Sequence, residues 1–153
     1  MRTLDVIEDS DIAKLSAYWE YTMTEIGMYE PMDYLTYWKN FVGQQGYTKV
    51  YCLLDNSADI QGVIGGMLLH GFSGDTLGML CHFYVSPAFR KTSKAFTLLL
   101  AKMQKVFTEQ KCSKVIVEIS PILEGVDQIK RILLKCGYTH KVSLYEREGA
   151  ILW

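Results

Sequence analysis

The sequence has few of the features that mark a secreted, metal-binding or membrane protein. Its four cysteines are scattered, without a CxxC pair, and its three histidines do not cluster with them. A zinc site needs such ligands at close spacing, so no metal site is expected. No apolar run is long enough to span a bilayer, and the first residues carry charges where a signal peptide has an apolar core. We therefore expect a cytoplasmic protein with buried, reduced cysteines and no membrane partner.

An excess of charge of either sign is also lacking. The formal net charge is -1 and the isoelectric point is near 6.3, so nothing in the overall charge favours nucleic acid as a partner. With 153 residues, of which 49% are hydrophobic, the chain can bury a substantial core. Only three prolines interrupt it, and no repeat or linker divides it. The sequence therefore predicts a single domain over residues 1–153.

The most informative stretch runs from Leu77 to Gln110. It begins with an apolar segment rich in strand-forming residues, LGMLCHFYV, and ends with a segment whose apolar residues recur at helical spacing. Between them lies a short basic turn, Arg90-Lys91-Thr92-Ser93-Lys94-Ala95. A basic turn at a helix N-terminus presents backbone N–H groups and the positive end of the helix dipole. This arrangement favours an anion, most often phosphate.

This strand, turn and helix resemble the acetyl-CoA-binding motif of the GCN5-related N-acetyltransferases, the GNAT family. The family's turn reads Gln/Arg-x-x-Gly-x-Gly/Ala and follows a strand that ends in hydrophobic-Val-x-Pro. Tyr84-Val85-Ser86-Pro87 matches the strand end, and Arg90 and Ala95 match the turn. Ser93 stands where the middle glycine is expected, and its Cβ would crowd a backbone that approaches a ligand closely. Similar turns occur in compact GNAT-like proteins of bacteriophages. If this protein is encoded by a phage, its expected location is the cytoplasm of the host.

The order of the predicted elements matches the GNAT fold over nearly the whole chain. A second local resemblance is the segment Ile132–Tyr138, which looks like the family's late helix ending in Lys-x-Gly-aromatic, with Gly137 as its C-cap. The fold class is therefore α/β (α+β): a mixed, mostly antiparallel twisted sheet of six to seven strands flanked by about four helices. The predicted strands are Arg2–Ile7, Lys49–Leu54, Ile60–His70, Leu77–Val85, Lys114–Ser120, Tyr138–Glu148 and Ile151–Trp153. The predicted helices follow Asp9-Ser10-Asp11, begin at Pro31, follow the basic turn, and span Glu124–Cys136.

Two finer patterns concern the surroundings of the central strand. The pair Gly65-Gly66 lies inside a predicted strand and indicates a bulge or a close backbone approach. The span from Tyr18 to Trp38 is dense in aromatic residues, most of which we expect to pack in the core. In the GNAT family this helix pair forms one wall of the acceptor cleft. With Glu25 and Glu30 nearby, such a wall would suit a cationic or amphipathic acceptor.

The resemblance implies an acetyl-CoA-dependent N-acetyltransferase. Such an enzyme moves an acetyl group to an amine of a small molecule or protein by direct attack in a ternary complex. Acetyl-CoA would be the co-substrate, with its pyrophosphate on the backbone of the turn and its pantetheine arm paired with the end of the strand. The residues implied to bind it are Phe83, Tyr84, Val85, Arg90, Lys91, Thr92, Ser93, Lys94 and Ala95. The partners are acetyl-CoA, an unidentified amine acceptor and, allowed but not required by the sequence, a second copy of the chain in a homodimer.

The catalytic acid and base are not identified by these motifs. Leu133 stands where many family members carry a tyrosine, and Met79 and Cys81 stand where family bases often lie. The candidates left open are Cys81, His82, Ser120, Tyr138 and Tyr145. Strand alternation places His82 on the face opposite Cys81 unless a bulge intervenes, and a structural role is then the simpler interpretation. The alternative function is therefore a catalytically inactive GNAT-like domain that binds CoA or a protein partner.

Overall fold

The structure is a computed structural model that describes residues 1–117 and 126–139. The described residues form five β-strands, four α-helices and one short 3-10 turn. The strands are β1 (Arg2–Asp5), β2 (Thr48–Leu54), β3 (Ile60–His70), β4 (Thr76–Val85) and β5 (Lys114–Val117). The helices are α1 (Asp9–Glu25), α2 (Tyr34–Val42), α3 (Lys94–Glu109) and α4 (Val126–Lys135), and the 3-10 turn covers Pro87–Phe89.

The five strands form one sheet in the order β1-β2-β3-β4-β5. The first four strands pair antiparallel, and β5 pairs parallel with β4. The mixed, mostly antiparallel character of the sheet is as predicted, but the predicted six to seven strands are not matched by these five. The two remaining predicted strands, Tyr138–Glu148 and Ile151–Trp153, fall almost wholly on residues outside the described part.

Each face of the sheet is covered by a pair of helices. On one face α1 and α2 cover a cluster built around Leu15, Trp38 and Val63. On the other face α3 and α4 cover a larger cluster that includes Ile64 and Leu133. Within that second cluster, a Cβ added to Gly78 would lie 2.7 Å from the Phe107 ring. Glycine at this position therefore lets α3 lie close to the sheet.

Most of the predicted element bounds agree with the structure to within two residues, and the exceptions have local causes. Helix α2 begins at Tyr34 and not at Pro31, because Asp33 caps it: its Oδ1 accepts a hydrogen bond from the Thr36 N–H at 3.1 Å. Leu35 lies on the exposed side of this helix. Helix α4 ends as predicted, with Gly137 at a φ of 90°, in the left-handed region that favours glycine.

The cysteines and the helix lengths test two further expectations. All four cysteines are free, but of the four expected to be buried only Cys52 is fully so, whereas Cys81 and Cys112 are half-buried. Cys136, however, is exposed, because it follows the last turn of α4. Among the described helices, none combines the length and the apolar character that crossing a bilayer would require.

Candidate active site

Strand β4 contains a β-bulge, and the candidate site is built around it. Gly65 on β3 pairs with His82, whereas the next residue, Gly66, pairs with Leu80. Cys81 is therefore the extra residue of the bulged strand. The bulge predicted from the pair Gly65-Gly66 is confirmed.

The parallel ladder with β5 is described only as far as Val117, the last residue before the undescribed range 118–125. Its last described pair joins Leu80 to Val117, one residue before the bulge. From Cys81 to Val85, β4 continues without a described neighbour on that side.

The end of β4 leads directly into the predicted cofactor-binding turn. Tyr84 and Val85 are buried on opposite faces of the sheet, and Phe83 packs edge-on against Phe96 of α3 with ring centroids 5.4 Å apart. The side chains of these three residues are used in packing. What this segment offers a ligand is therefore its backbone.

Arg90 secures the turn to the end of β4. Its Nε donates a hydrogen bond to the Val85 carbonyl oxygen at 2.6 Å, and its guanidinium carbon lies 4.9 Å from the centroid of the Tyr84 ring. These two contacts lie on the protein itself and hold the turn in place. The contact with acetyl-CoA that the resemblance implies for Arg90 stays a prediction.

The rest of the turn is exposed up to the start of α3. Lys91, Thr92 and Ser93 are exposed, as is Lys94, the first residue of the helix, whereas Ala95 is buried. Ser93 occupies the N-cap position with φ -77° and makes no side-chain capping bond. This φ is open to any L-residue, so the backbone here does not require the glycine of the family motif. The N–H of Lys94 donates to the Thr92 hydroxyl at 3.4 Å, and the Ser93 side chain leaves the next amide groups of α3 uncapped.

A residue of α4 that the sequence did not reveal supports the same turn. The side-chain amide of Gln128 donates to the Arg90 carbonyl oxygen at 3.0 Å and to the Thr92 carbonyl oxygen at 3.4 Å. These bonds hold the turn between β4 and α4. No motif marks this glutamine, because its partners are backbone groups that are distant in sequence.

Because of the bulge, His82 lies on the same face of the sheet as Cys81, beneath α1 and α2. Aromatic rings surround its imidazole, with centroid distances of 4.6 to 5.7 Å; they belong to Trp19, Tyr37, Trp38 and Phe41. Burial in this setting lowers the pKa of His82 to about 4, so the ring is neutral at physiological pH.

The imidazole of His82 is fixed by one hydrogen bond and one close contact. The phenol oxygen of Tyr37 lies 2.5 Å from Nε2. On the other side, a Cβ on Gly65 would lie 2.7 Å from Nδ1. Nδ1 has no hydrogen-bond partner among the described residues. The absence of a side chain at Gly65 is thus what makes room for the histidine.

The other catalytic candidates are less well placed. Cys81 is half-buried, and burial raises the pKa of its thiol, which disfavours the thiolate. Tyr138 packs against the α3 side of the sheet, the face opposite His82, where its hydroxyl contacts Gln104 at 3.5 Å. Leu133 is buried in the same core. Ser120 and Tyr145 lie outside the described residues. Within the described ranges, no group of three potential metal ligands comes together.

The exposed surface of α1 and of the loop that follows it is aromatic and acidic. Tyr21, Tyr29 and Met32, on α1 and the loop that follows it, are large hydrophobic residues with 40 to 65% of their surface exposed. From Leu15 to Trp38 the chain carries four acidic residues and no lysine or arginine. Those four residues are Glu20, Glu25, Glu30 and Asp33. A cationic ligand would find both ring faces and opposite charge on this surface.

Neither a protein-family model nor a curated protein matches the sequence. Solved structures do match it. A ribosomal-protein-alanine N-acetyltransferase from Brucella melitensis biovar Abortus 2308 superposes with a TM-score of 0.73 at 12% identity, over 97% of this chain and 100% of that one. A predicted acetyltransferase from Clostridium acetobutylicum, determined with acetyl-CoA, gives 0.74 at 14% identity, over 96% and 95%. An aminoglycoside acetyltransferase from an uncultured soil metagenomic sample, in complex with sisomicin, gives 0.70 at 15% identity, over 97% and 96%.

The chain has the GNAT fold. The fold predicted from the motifs is thereby confirmed. In this GNAT-fold protein, the chain passes directly from the bulged strand β4 through the basic turn into the start of α3. We call this continuous stretch of backbone the path.

Proposed function

We propose that this protein is an acetyltransferase that moves the acetyl group of acetyl-CoA to an amine. The observation that carries the proposal is the path from the bulge at Cys81 to the start of α3. At Cys81, β4 bulges away from β3. The strand then continues into the turn at the N-terminus of α3. The backbone at the end of β4, with which an extended ligand would pair, is thus followed directly by a helix N-terminus that favours an anion.

Each part of acetyl-CoA has a counterpart along this path. The amide groups of the pantetheine arm would pair with the backbone of Phe83 to Val85. The pyrophosphate would lie on backbone N–H groups of the turn from Arg90 to Ala95, with Lys91 and Lys94 supplying positive charge. Two of those groups already have partners: the Arg90 N–H donates to the Pro87 carbonyl oxygen and the Lys94 N–H to the Thr92 hydroxyl. The thioester would then lie at the bulge, where backbone groups are released from the β-ladder and can polarise its carbonyl.

The acceptor is proposed to be a cationic amine. It would approach over the exposed aromatic and acidic surface of α1 and the loop before α2, beside the bulge. This charge pattern favours an amine with further positive charges, either a small polyamine or aminoglycoside or a basic segment of a protein. The structural neighbours named for aminoglycoside and for ribosomal-protein acetylation are consistent with both kinds of acceptor.

Charge reversal at the turn tests the cofactor site. In calorimetric titration, the double variant Lys91→Glu with Lys94→Glu should bind acetyl-CoA at least about tenfold more weakly than the wild type, which corresponds to about 1.4 kcal/mol. The matched control is Lys102→Glu, an exposed lysine on the same helix, roughly 12 Å further along the axis at 1.5 Å per residue. Its affinity should be unchanged. Equal affinities in all three proteins would refute the assignment of the phosphates to this turn.

Turnover separates the proposed enzyme from the alternative. Release of free thiol from acetyl-CoA in the presence of an amine panel containing sisomicin and spermidine would support transfer. Acetyl-CoA binding without thiol release would indicate a CoA-binding module. Failure to bind acetyl-CoA would contradict both and would leave a protein-interaction domain.

A further inference from the structure

A phenol and an imidazole meet directly above the bulge. Tyr37 of α2 is half-buried, whereas His82 lies behind it among aromatic rings. Among the described residues, one hydrogen bond joins the two side chains, with the Tyr37 hydroxyl oxygen 2.5 Å from His82 Nε2. The hydrogen bond to His82 holds the phenol next to the bulge, because His82 directly follows the extra residue Cys81. Burial, and to a lesser degree the Cys81 thiol, raise the pKa of the phenol, so it keeps its proton at neutral pH.

The position of the imidazole proton decides what the phenol can do. A neutral imidazole carries one N–H, on either Nδ1 or Nε2. A proton on Nδ1 would leave a buried N–H against Gly65 with no described partner. Orphaned N–H groups are rarer in proteins than acceptors that lack a donor. The contacts therefore favour the proton on Nε2, which donates to the Tyr37 oxygen.

With this tautomer, the hydroxyl proton of Tyr37 is not used by His82. The Tyr37 oxygen accepts from Nε2–H, and its own O–H is available to a third group. Tyr37 lies on the side of the sheet where the aromatic and acidic surface begins. A proton donor thus stands beside the bulge, on the face from which the acceptor would approach.

We propose that Tyr37 is the general acid of the transfer reaction and that His82 is the residue that positions it. This inference rests on the proposed acetyltransferase function and adds to it a group that motif comparison does not supply. The position at which the family carries its tyrosine holds Leu133, which is buried on the opposite face of the sheet. A tyrosine from α2 thus replaces one from α4.

The proton transfers balance over one turnover. The amine nitrogen attacks the thioester carbonyl carbon, so a C–N bond forms and the C–S bond breaks. The sulfur keeps the electron pair of the broken bond and takes the phenol proton of Tyr37. The resulting phenolate, stabilised by the Nε2–H of His82, takes the proton that the amine nitrogen loses. Amine and acetyl-CoA become amide and free thiol, and both residues return to their starting states.

The first test compares Tyr37→Phe with a matched control. The control is Tyr34→Phe, a tyrosine three residues earlier on α2 whose hydroxyl hydrogen-bonds the backbone of Glu30. Thiol release from acetyl-CoA with sisomicin and spermidine gives kcat, and calorimetry gives the Kd of acetyl-CoA. For Tyr37→Phe we expect kcat to fall roughly 100-fold, within the range for loss of a general acid, with Kd unchanged. For Tyr34→Phe we expect kcat within twofold of the wild type.

The second test does not depend on turnover. Nitrogen-15 NMR of histidine in the wild type should show the Nε2–H tautomer for His82, and its signals should shift in Tyr37→Phe. The positioning role of His82 is tested by substitution. His82→Phe keeps a ring but removes the donor and should lower kcat, whereas His82→Gln retains an N–H donor and should restore part of it.

The outcomes distinguish this inference from the function on which it rests. Undiminished kcat in Tyr37→Phe, or an Nδ1–H tautomer for His82, would overturn the role of Tyr37 and leave the acetyltransferase function standing. A wild type that binds acetyl-CoA but releases no thiol with either amine would overturn both. Loss of kcat in Tyr37→Phe with the Nε2–H tautomer present would support the inference.

Discussion

Gly65→Ala should destabilise the protein by pushing on His82. The added Cβ would lie 2.7 Å from Nδ1 of the imidazole and 3.4 Å from both Cβ and Cγ of His82. Contacts of carbon with nitrogen settle near 3.5 Å, so the ring would have to move by several tenths of an ångström. The hydrogen bond to Tyr37 and four aromatic neighbours restrict that movement.

The magnitude follows from the cost of overpacking a core. Inserting one carbon into a well-packed interior costs about 1–3 kcal/mol, and the lower unfolded-state entropy of alanine returns about 0.4–1 kcal/mol of that. We therefore expect a net loss of about 1–2 kcal/mol of unfolding free energy. For a chain of this length, 1 kcal/mol lowers Tm by about 2–4 °C. Urea denaturation monitored by tryptophan fluorescence would measure the free energy.

Two further variants show whether His82 is the cause. Gly71→Ala is the matched control, because a Cβ there would be at ordinary contact distance, 3.6 Å from its nearest neighbour. It should change stability by less than about 0.5 kcal/mol. In a His82→Ala background, Gly65→Ala should lose most of its cost, since the clashing ring is gone. Equal stability of Gly65→Ala and the wild type, or the same cost in both backgrounds, would refute the argument.

Two other expectations concern the turn and the dependence of stability on pH. Ser93→Gly should change acetyl-CoA affinity by less than about twofold, because Ser93 is exposed, has φ -77° and does not cap α3. Calorimetric titration would measure the affinity. A large loss would mean that the Ser93 hydroxyl is a ligand, and a large gain would mean that its Cβ obstructs the ligand. Burial holds the pKa of His82 near 4 in the folded chain, below about 6.5 in the unfolded chain, so the unfolded chain binds more protons between these values. Its contribution to stability is complete above about pH 6.5 and falls by roughly 3 kcal/mol as the pH approaches 4. Denaturation at several pH values should show a flatter profile for His82→Phe; an identical profile would contradict the assignment.

The regular elements of the fold could be predicted because their signals are local. Strand β3 has the predicted bounds, Ile60–His70, and α3 follows the basic turn as expected. The predicted start of α2 at Pro31 was wrong, because Pro31 and Asp33 both signal a helix N-terminus. The observed side-chain bond from the Thr36 N–H to Asp33 decided between them.

The candidate site was predictable only where it depends on backbone. The turn from Arg90 to Ala95 leads into α3 at the end of β4, as the motif indicates. The direction of the Arg90 side chain was not predictable, because its observed partners, the Val85 carbonyl and the Tyr84 ring, lie on the preceding strand. Gln128 was missed for a similar reason: its hydrogen bonds join α4 to carbonyl groups nearly forty residues away.

The face on which His82 lies shows why one residue can reverse a functional prediction. Strict alternation along β4 separates His82 from Cys81, and it makes the histidine a structural residue with no relation to the site. The glycine pair on β3 signalled a bulge, but a bulge places its extra residue on one of two strands, and glycines on β3 do not say which. Only the register shows that the extra residue is on β4. That placement brings His82 under α2, next to Tyr37. The proton donor we propose therefore depends on a single inserted residue that no side-chain pattern in the sequence identifies.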